Sequence, residues 1–380
     1  MNAAPLEPFD HARPLARCVG TPVPRALPAS IGRYHLHDPI GTGGMATVHL
    51  AWSIDAARVV AIKRLRPDLA GRRDFVAMLA DEARLTSRIE HRNVVRALDV
   101  VEAGDEPCLV LSYVRGASLS HLAQRAAARG ERVPAGVAAA IAVGILRGLH
   151  AAHEATSPEG EPLAIVHRDV SPQNVMVDVS GITRVLDFGI AEAAGAVRPN
   201  RAGEVRGKIH YMAPEQLTYD GVVSRRTDVY AASVVLWELL SGCRLFKDEL
   251  RGAASDGSAA SKACVDALLR RYAEIPPPSA FASGIESALD AIVLCGLEPS
   301  PSKRFATAQE MADAIAACGV ASAEDDVAEW VRSLEDREIA ERARKVEAIE
   351  ASGGTVCGES EESAVEAAPQ SGRVARGWMF

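Results

Sequence analysis

The stretch from Ile165 to Val177 (IVHRDVSPQNVMV), followed by Val185 to Ala191 (VLDFGIA), constrains this chain more than any other part of it. Asp169 and Asn174 stand five positions apart between apolar, β-prone runs, and Asp187 opens the next loop. Mg²⁺ keeps several waters and takes few protein oxygens beside those of its substrate, so an amide and a carboxylate on adjacent loops suit it. The remaining carboxylate is then free to accept a hydroxyl proton. The pattern requires short strands and irregular loops here, and the region from about Leu163 to Leu217 reads that way throughout.

The flanks differ from each other. Four β-prone stretches, Thr47 to Trp52, Val59 to Leu65, Val94 to Val101 and Leu109 to Tyr113, bracket one amphipathic helix from about Arg73 to Glu90. Beyond Gly116 the apolar period is mostly helical: Leu119 to Arg129, Pro134 to His153, Thr227 to Ser241, Ala263 to Arg271, Ile285 to Cys295 and Ala308 to Cys318. An α+β fold with a β-rich lobe over about 33–112 and a helical lobe over about 116–318 follows. Residues 1–32, rich in Pro, Ala and Arg, read as a disordered arm, and 319–380 as an acidic tail. One charged helix, about Asp325 to Ala351, is expected in that tail with a solvated face, before a Gly, Ser and Glu-rich disordered end.

Charge and cysteine content exclude several functions. The net charge is −8, and the tail from Gly319 onward, with 14 acids and 7 bases, holds most of it. The remainder is near neutral, which gives no case for nucleic-acid binding. Seven cysteines without a C-x-x-C pair point to reduced thiols, with neither a disulfide framework nor a zinc site. No run of ~18 apolar residues is evident, and the N-terminus has no secretory apolar stretch. A cytoplasmic protein without a membrane partner is expected.

Three further patterns carry chemistry. In IGTGGMATV, Ile40 to Val48, glycines between two strands let a hairpin backbone approach phosphate oxygens. A strand follows, so this is not a dinucleotide-binding fingerprint. VVAIK ends on Lys63, and Glu82 in the amphipathic helix is its natural carboxylate partner if the lysine faces inward; the alternative is that both are surface charges. Glu215, closing YMAPE, is matched with Arg304 in PSKRF.

Taken in order, the glycine loop, V-A-I-K, helix glutamate, H-R-D with its asparagine, D-F-G and A-P-E resemble those of bacterial Hanks-type (eukaryotic-like) serine/threonine protein kinases, over about Tyr34 to Cys318. The resemblance implies a bilobal protein-kinase-like fold, with a small β-rich N-lobe carrying one helix and a larger helical C-lobe. It implies ATP and Mg²⁺ as cofactors and γ-phosphoryl transfer to Ser/Thr hydroxyls of proteins in bacterial signalling. By it Asp169 is the catalytic-loop base, Lys63 holds the α and β phosphates and pairs with Glu82, and Asn174 and Asp187 bind Mg²⁺. The nucleotide site would comprise Ile40, Gly41, Thr42, Gly43, Gly44, Met45, Ala46 and Val48 of the glycine loop, with Ala61 and Lys63. Leu111 falls at the gatekeeper position and Ser112 to Val114 at the hinge that receives adenine. His167 and Phe188 are implied to pack, and Asp228 to hold the catalytic-loop backbone.

Three positions depart from the family pattern. Ala46 replaces the third loop glycine, Ser171 the usual catalytic-loop lysine, and Lys208 the usual threonine before Y-x-A-P-E. Lys208 is expected to supply the ammonium that Ser171 lacks, the alternative being that it points to solvent. Since serine versus tyrosine preference is read in the family from these two positions, they leave that preference open. The rival readings are a nucleotide-binding pseudokinase scaffold, against which stand the intact Lys63, Asp169, Asn174 and Asp187, and a small-molecule phosphotransferase of related fold, which A-P-E and the long helical C-lobe disfavour.

Overall fold

The structure, a computed structural model, describes residues 30–104, 106–188, 209–218, 221–245 and 272–353. Lys208, most of the 1–32 arm, the expected helix Ala263 to Arg271 and the chain beyond 353 lie outside the described residues.

Alternating apolar residues build an antiparallel N-lobe sheet from β1 (Ser30–Ile31), β2 (Tyr34–Thr42), β3 (Ala46–Ser53), β4 (Arg58–Leu65), β5 (Ala97–Ala103) and β6 (Glu106–Ser112). Their spatial order is β1-β2-β3-β4-β6-β5. Ile31 is buried against β2, so the ordered sheet begins inside the stretch assigned to the arm. Across β3 and β4, Val48 stands opposite Lys63, Leu50 opposite Ala61, and Trp52 opposite Val59. Directly opposed residues share a face, so these three pairs form one continuous strip. Ala61 also pairs with Leu111 of β6.

Helix α1 (Arg73–Thr86) packs Leu79 and Ala83 on Leu65, Ala97 and Leu109. It stops before the expected Glu90: after Ser87 the N–H groups of Arg88 and Ile89 turn to the i−3 carbonyls of Leu85 and Thr86, which tightens the end into a turn. Ile89 leaves the helix and joins the C-lobe core instead.

The C-lobe begins with β7 (Gly116–Ser118), α2 (Leu119–Ala128) and α3 (Ala135–His153). β7 joins β8 (Val175–Asp178) and β9 (Thr183–Val185) in a three-stranded sheet. At Gly116 a Cβ would lie 2.1 Å from the Val177 carbonyl oxygen, so glycine lets the chain leaving the hinge press onto the strand that follows the catalytic loop. Helices α4 (Arg225–Ser241), α5 (Ser287–Gly296) and α6 (Ala308–Ala317) follow among the described residues, with α3 and α4 at the lobe's core. Contrary to the sequence expectation, α3 is long and apolar enough to cross a membrane by length and composition, yet 67% of that stretch is buried within the lobe.

The tail corrects two expectations. Two helices, α7 (Glu324–Ser333) and α8 (Arg337–Ala351), replace the single one, because Asp336 caps α8 by accepting from the Ile339 N–H at 3.0 Å. Neither is a solvated appendage. α7 buries Val327, Trp330 and Val331 in the C-lobe core, while α8 buries Val346 and Ile349 on the N-lobe.

Candidate active site

Local backbone geometry places the acidic groups. Arg168 (φ +65°) and Asp187 (φ +57°) adopt the left-handed region, which costs a non-glycine residue on the order of 1–3 kcal/mol and needs outside support. Asp228 at the start of α4 supplies it for Arg168, accepting the backbone N–H groups of His167 and Arg168, both at 2.8 Å. His153, on the last turn of α3, places Nε2 2.7 Å from the same carboxylate. Gln216 donates its amide to the Arg168 carbonyl at 2.9 Å while accepting from the Ala213 N–H. Asp228 thus has the holding role implied by the resemblance. His153 and Gln216 share that role, and the sequence reading missed both because nothing in their spacing marks them.

His167 ties the two acidic loops together. Its Nδ1 accepts the Asp169 N–H at 3.3 Å and its Nε2 donates to the Leu186 carbonyl at 3.0 Å, which assigns the donating ring hydrogen to Nε2. Phe188 is buried against it, with ring centroids 4.8 Å apart. Both are packing residues, as implied. The Asn174 amide donates to the Asp169 carbonyl (2.8 Å) and to Asp169 Oδ2 (2.9 Å), and Leu186 N–H donates to the Asn174 carbonyl (3.0 Å).

Lys63 is the junction between lobes. Its Nζ lies 2.7 Å from Glu82 Oε1 and 2.7 Å from Asp187 Oδ1. Burial opposes the ammonium charge, but two adjacent carboxylates outweigh it and raise its pKa above the ordinary lysine range. Burial and the neighbouring Asp187 charge push the Glu82 carboxyl up, against the pull of Lys63.

These positions suit the implied cofactors. The side-chain oxygen of Asn174 and the second oxygen of Asp187 stand outside those hydrogen bonds, a hard-oxygen pair of the kind Mg²⁺ takes. The glycine loop is the β2–β3 hairpin, with Gly41 opposite Val48, Thr42 opposite Thr47, and Gly43 N–H donating to the Ala46 carbonyl at 2.8 Å. Gly41, Thr42, Gly43 and Met45 are exposed at its tip, and Gly44 is half-buried. Ala46 starts β3 opposite Leu65, so its departure from glycine leaves the hairpin closed. Val48 and Ala61 share the sheet face that carries Lys63, Ala61 pairs with Leu111 of β6, Ile40 packs at the edge of the Leu50, Trp52 and Val59 cluster, and the hinge runs from Ser112 to the buried Val114. Ser171 is buried with its carbonyl accepting from the Asn174 N–H.

Away from the acids, Arg304 holds Glu215 through two bonds of 2.8 Å, joined by the Thr227 hydroxyl at 2.8 Å. Burial would raise the Glu215 carboxyl, but this guanidinium keeps it below its usual value.

Residues 34–314 match the family described as Protein kinase domain. The chain belongs to the protein kinase family. The kinase is 37% identical to "Tyrosine-protein kinase MasK" of Myxococcus xanthus over 75% of this chain and 42% of that protein. It is 34% identical to "Serine/threonine-protein kinase PrkC" of Bacillus subtilis over 74% of this chain and 39% of that one. The kinase thus spans about two fifths of the length of these curated relatives. Among solved structures it shares the fold of the PknI kinase domain of Mycobacterium tuberculosis, with a TM-score of 0.55 at 24% identity, covering 77% of this chain and 99% of that one.

Proposed function

We propose that this kinase transfers the γ-phosphoryl group of ATP, with Mg²⁺, to serine and threonine hydroxyls of proteins. One observation carries the reading: Glu82, Lys63 and Asp187 form a connected ion set beside an Asp169 carboxylate held by Asn174. A scaffold that only binds nucleotide has no use for the Asn174–Asp169 clamp.

In this reading Lys63, charged and fixed by two carboxylates, binds phosphate oxygens without reorganising. Mg²⁺, held by Asn174 and Asp187, would neutralise charge on the phosphates. Asp169 orients the acceptor hydroxyl and accepts its proton, and its bond from Asn174 keeps the carboxylate in line. The glycine hairpin covers the phosphates and keeps water from them. We place this activity in the cytoplasm, where ATP is at hand, and cell fractionation tests that.

Transfer of radioactive phosphate from ATP to a generic protein, set against an Asp169→Asn control and followed by phosphoamino-acid analysis, is the test. Label on serine and threonine in the wild type alone supports the reading. Absence of label despite ATP binding would establish the scaffold. The name of the Myxococcus relative favours a second reading, tyrosine transfer, and label confined to phosphotyrosine would establish that one.

A further inference from the structure

Helix α8 touches both lobes and the hinge between them. Val346 (1% exposed) and Ile349 (7%) are buried on Leu50, Trp52 and Val59, with Ile40 and Tyr113 at the edge of the cluster. The strip on β3 and β4 therefore has two occupants. Its Val48–Lys63 and Leu50–Ala61 end faces the proposed nucleotide site, and its Leu50–Ala61 and Trp52–Val59 end carries α8. Leu50 belongs to both.

Ion pairs fasten the same helix at three points. Lys345 reaches Asp38 of β2 at 2.7 Å, and Glu350 pairs with Arg115 just past the hinge. Its capping Asp336 meets His121 at 3.0 Å and Arg125 at 3.3 Å, both on α2 of the C-lobe. Docked α8 coexists with an assembled Lys63–Glu82 pair, so it accompanies the competent arrangement instead of blocking it.

We propose that α8 is a strap that positions the nucleotide pocket, with Val346 and Ile349 as positioning residues, so that tail docking and ATP binding favour each other. This rests on the proposed ATP-dependent function. Only Tyr113 to Arg115 separate β6 from β7, so rotation there sets the width of the cleft. A helix bound on both sides limits that rotation. Without it Leu50, Trp52 and Val59 lose their cover, and the wall behind Ala61 loosens. Because coupling between sites is reciprocal, ATP must also tighten the strap.

The test uses the full chain with Val346→Asp/Ile349→Asp, calorimetry with ATP and Mg²⁺, and hydrogen exchange over residues 337–351. The double variant should bind ATP about fivefold or more weakly, with KM for ATP raised alike, kcat at saturating ATP nearly unchanged, and faster exchange in α8. Val346→Leu/Ile349→Leu should restore wild-type affinity. In the wild type, saturating ATP with Mg²⁺ should slow exchange across α8, and this measurement decides alone if the aspartate variant does not fold. An undocked α8 with ATP affinity within about twofold of wild type, or exchange in α8 indifferent to ATP, overturns the strap and leaves the proposed function standing. A wild type that binds no ATP overturns both.

Discussion

Lys63 shows how one residue can be half legible. VVAIK followed by an amphipathic helix points to Glu82, because the strand end and the helix face meet within one local unit. The bond to Asp187 crosses 124 positions and needs the lobes assembled, so no local spacing announces it. Asp169 and Asn174 were legible because one short loop carries both. Asp169→Ala should lower kcat by ~10² to 10⁴ while ATP affinity, read by calorimetry, stays within about threefold. Glu238 was not singled out at all. It lies buried in α4, accepting from the Tyr211 hydroxyl at 2.8 Å and the Leu245 N–H at 3.1 Å, with Arg244 facing it. Burial pushes its carboxyl up to about 7 from an ordinary 4.5, against the pull of Arg244 and those bonds. The folded state then holds a proton that the unfolded state releases between those values, so stability falls as pH rises from about 4.5 to 7 and levels off above. Replacement by Gln removes the titration. From pH 5 to 8 the wild type should lose on the order of 2 kcal/mol relative to Glu238→Gln in urea unfolding; parallel pH profiles would refute the buried acid.

At the scale of elements, the catalytic loop is shaped by a helix, not by its own sequence. Asp228 is fully buried and receives two backbone N–H groups and an imidazole, so the loop inherits the rigidity of α4. Asp228→Ala leaves those donors buried without an acceptor, at ~1–3 kcal/mol each. It should lower the unfolding free energy by several kcal/mol and reduce kcat at least tenfold, whereas Asp228→Asn, keeping one oxygen acceptor, should lose less of both. Equal stability of the alanine variant and wild type in urea would mean that the loop holds itself. Helix positions were largely legible from apolar period, and the errors have specific causes. The chain leaves α1 through i−3 turn bonds at Arg88 and Ile89 although the apolar pattern runs on, and the Asp336 cap divides a tail whose charge pattern runs on without a break.

For the whole molecule, the two lobes were legible because the period changes from two to 3.6 near Gly116. The docking of the tail was hidden by composition: so acidic a segment reads as solvated, and its seat on Leu50, Trp52 and Val59 lies nearly the whole domain away in sequence. What holds α8 can be decided by magnitude. Lys345 and Asp38 are 54% and 67% exposed, and an exposed pair of this kind contributes ~0–1 kcal/mol and is screened by salt. Val346 and Ile349 are nearly fully buried, and such side chains contribute ~1.5–3 kcal/mol each. The apolar seat therefore dominates, and the ion pairs set register and orientation. Raising NaCl from about 0.05 to 0.5 M should change hydrogen-exchange protection over residues 337–351 less than about threefold, since only the surface pairs are screened. Lys345→Glu should have an equally small effect, while Val346→Ala should speed exchange about tenfold or more. Release of α8 by salt alone would mean that charge, not the Leu50–Trp52–Val59 seat, joins the tail to the lobes.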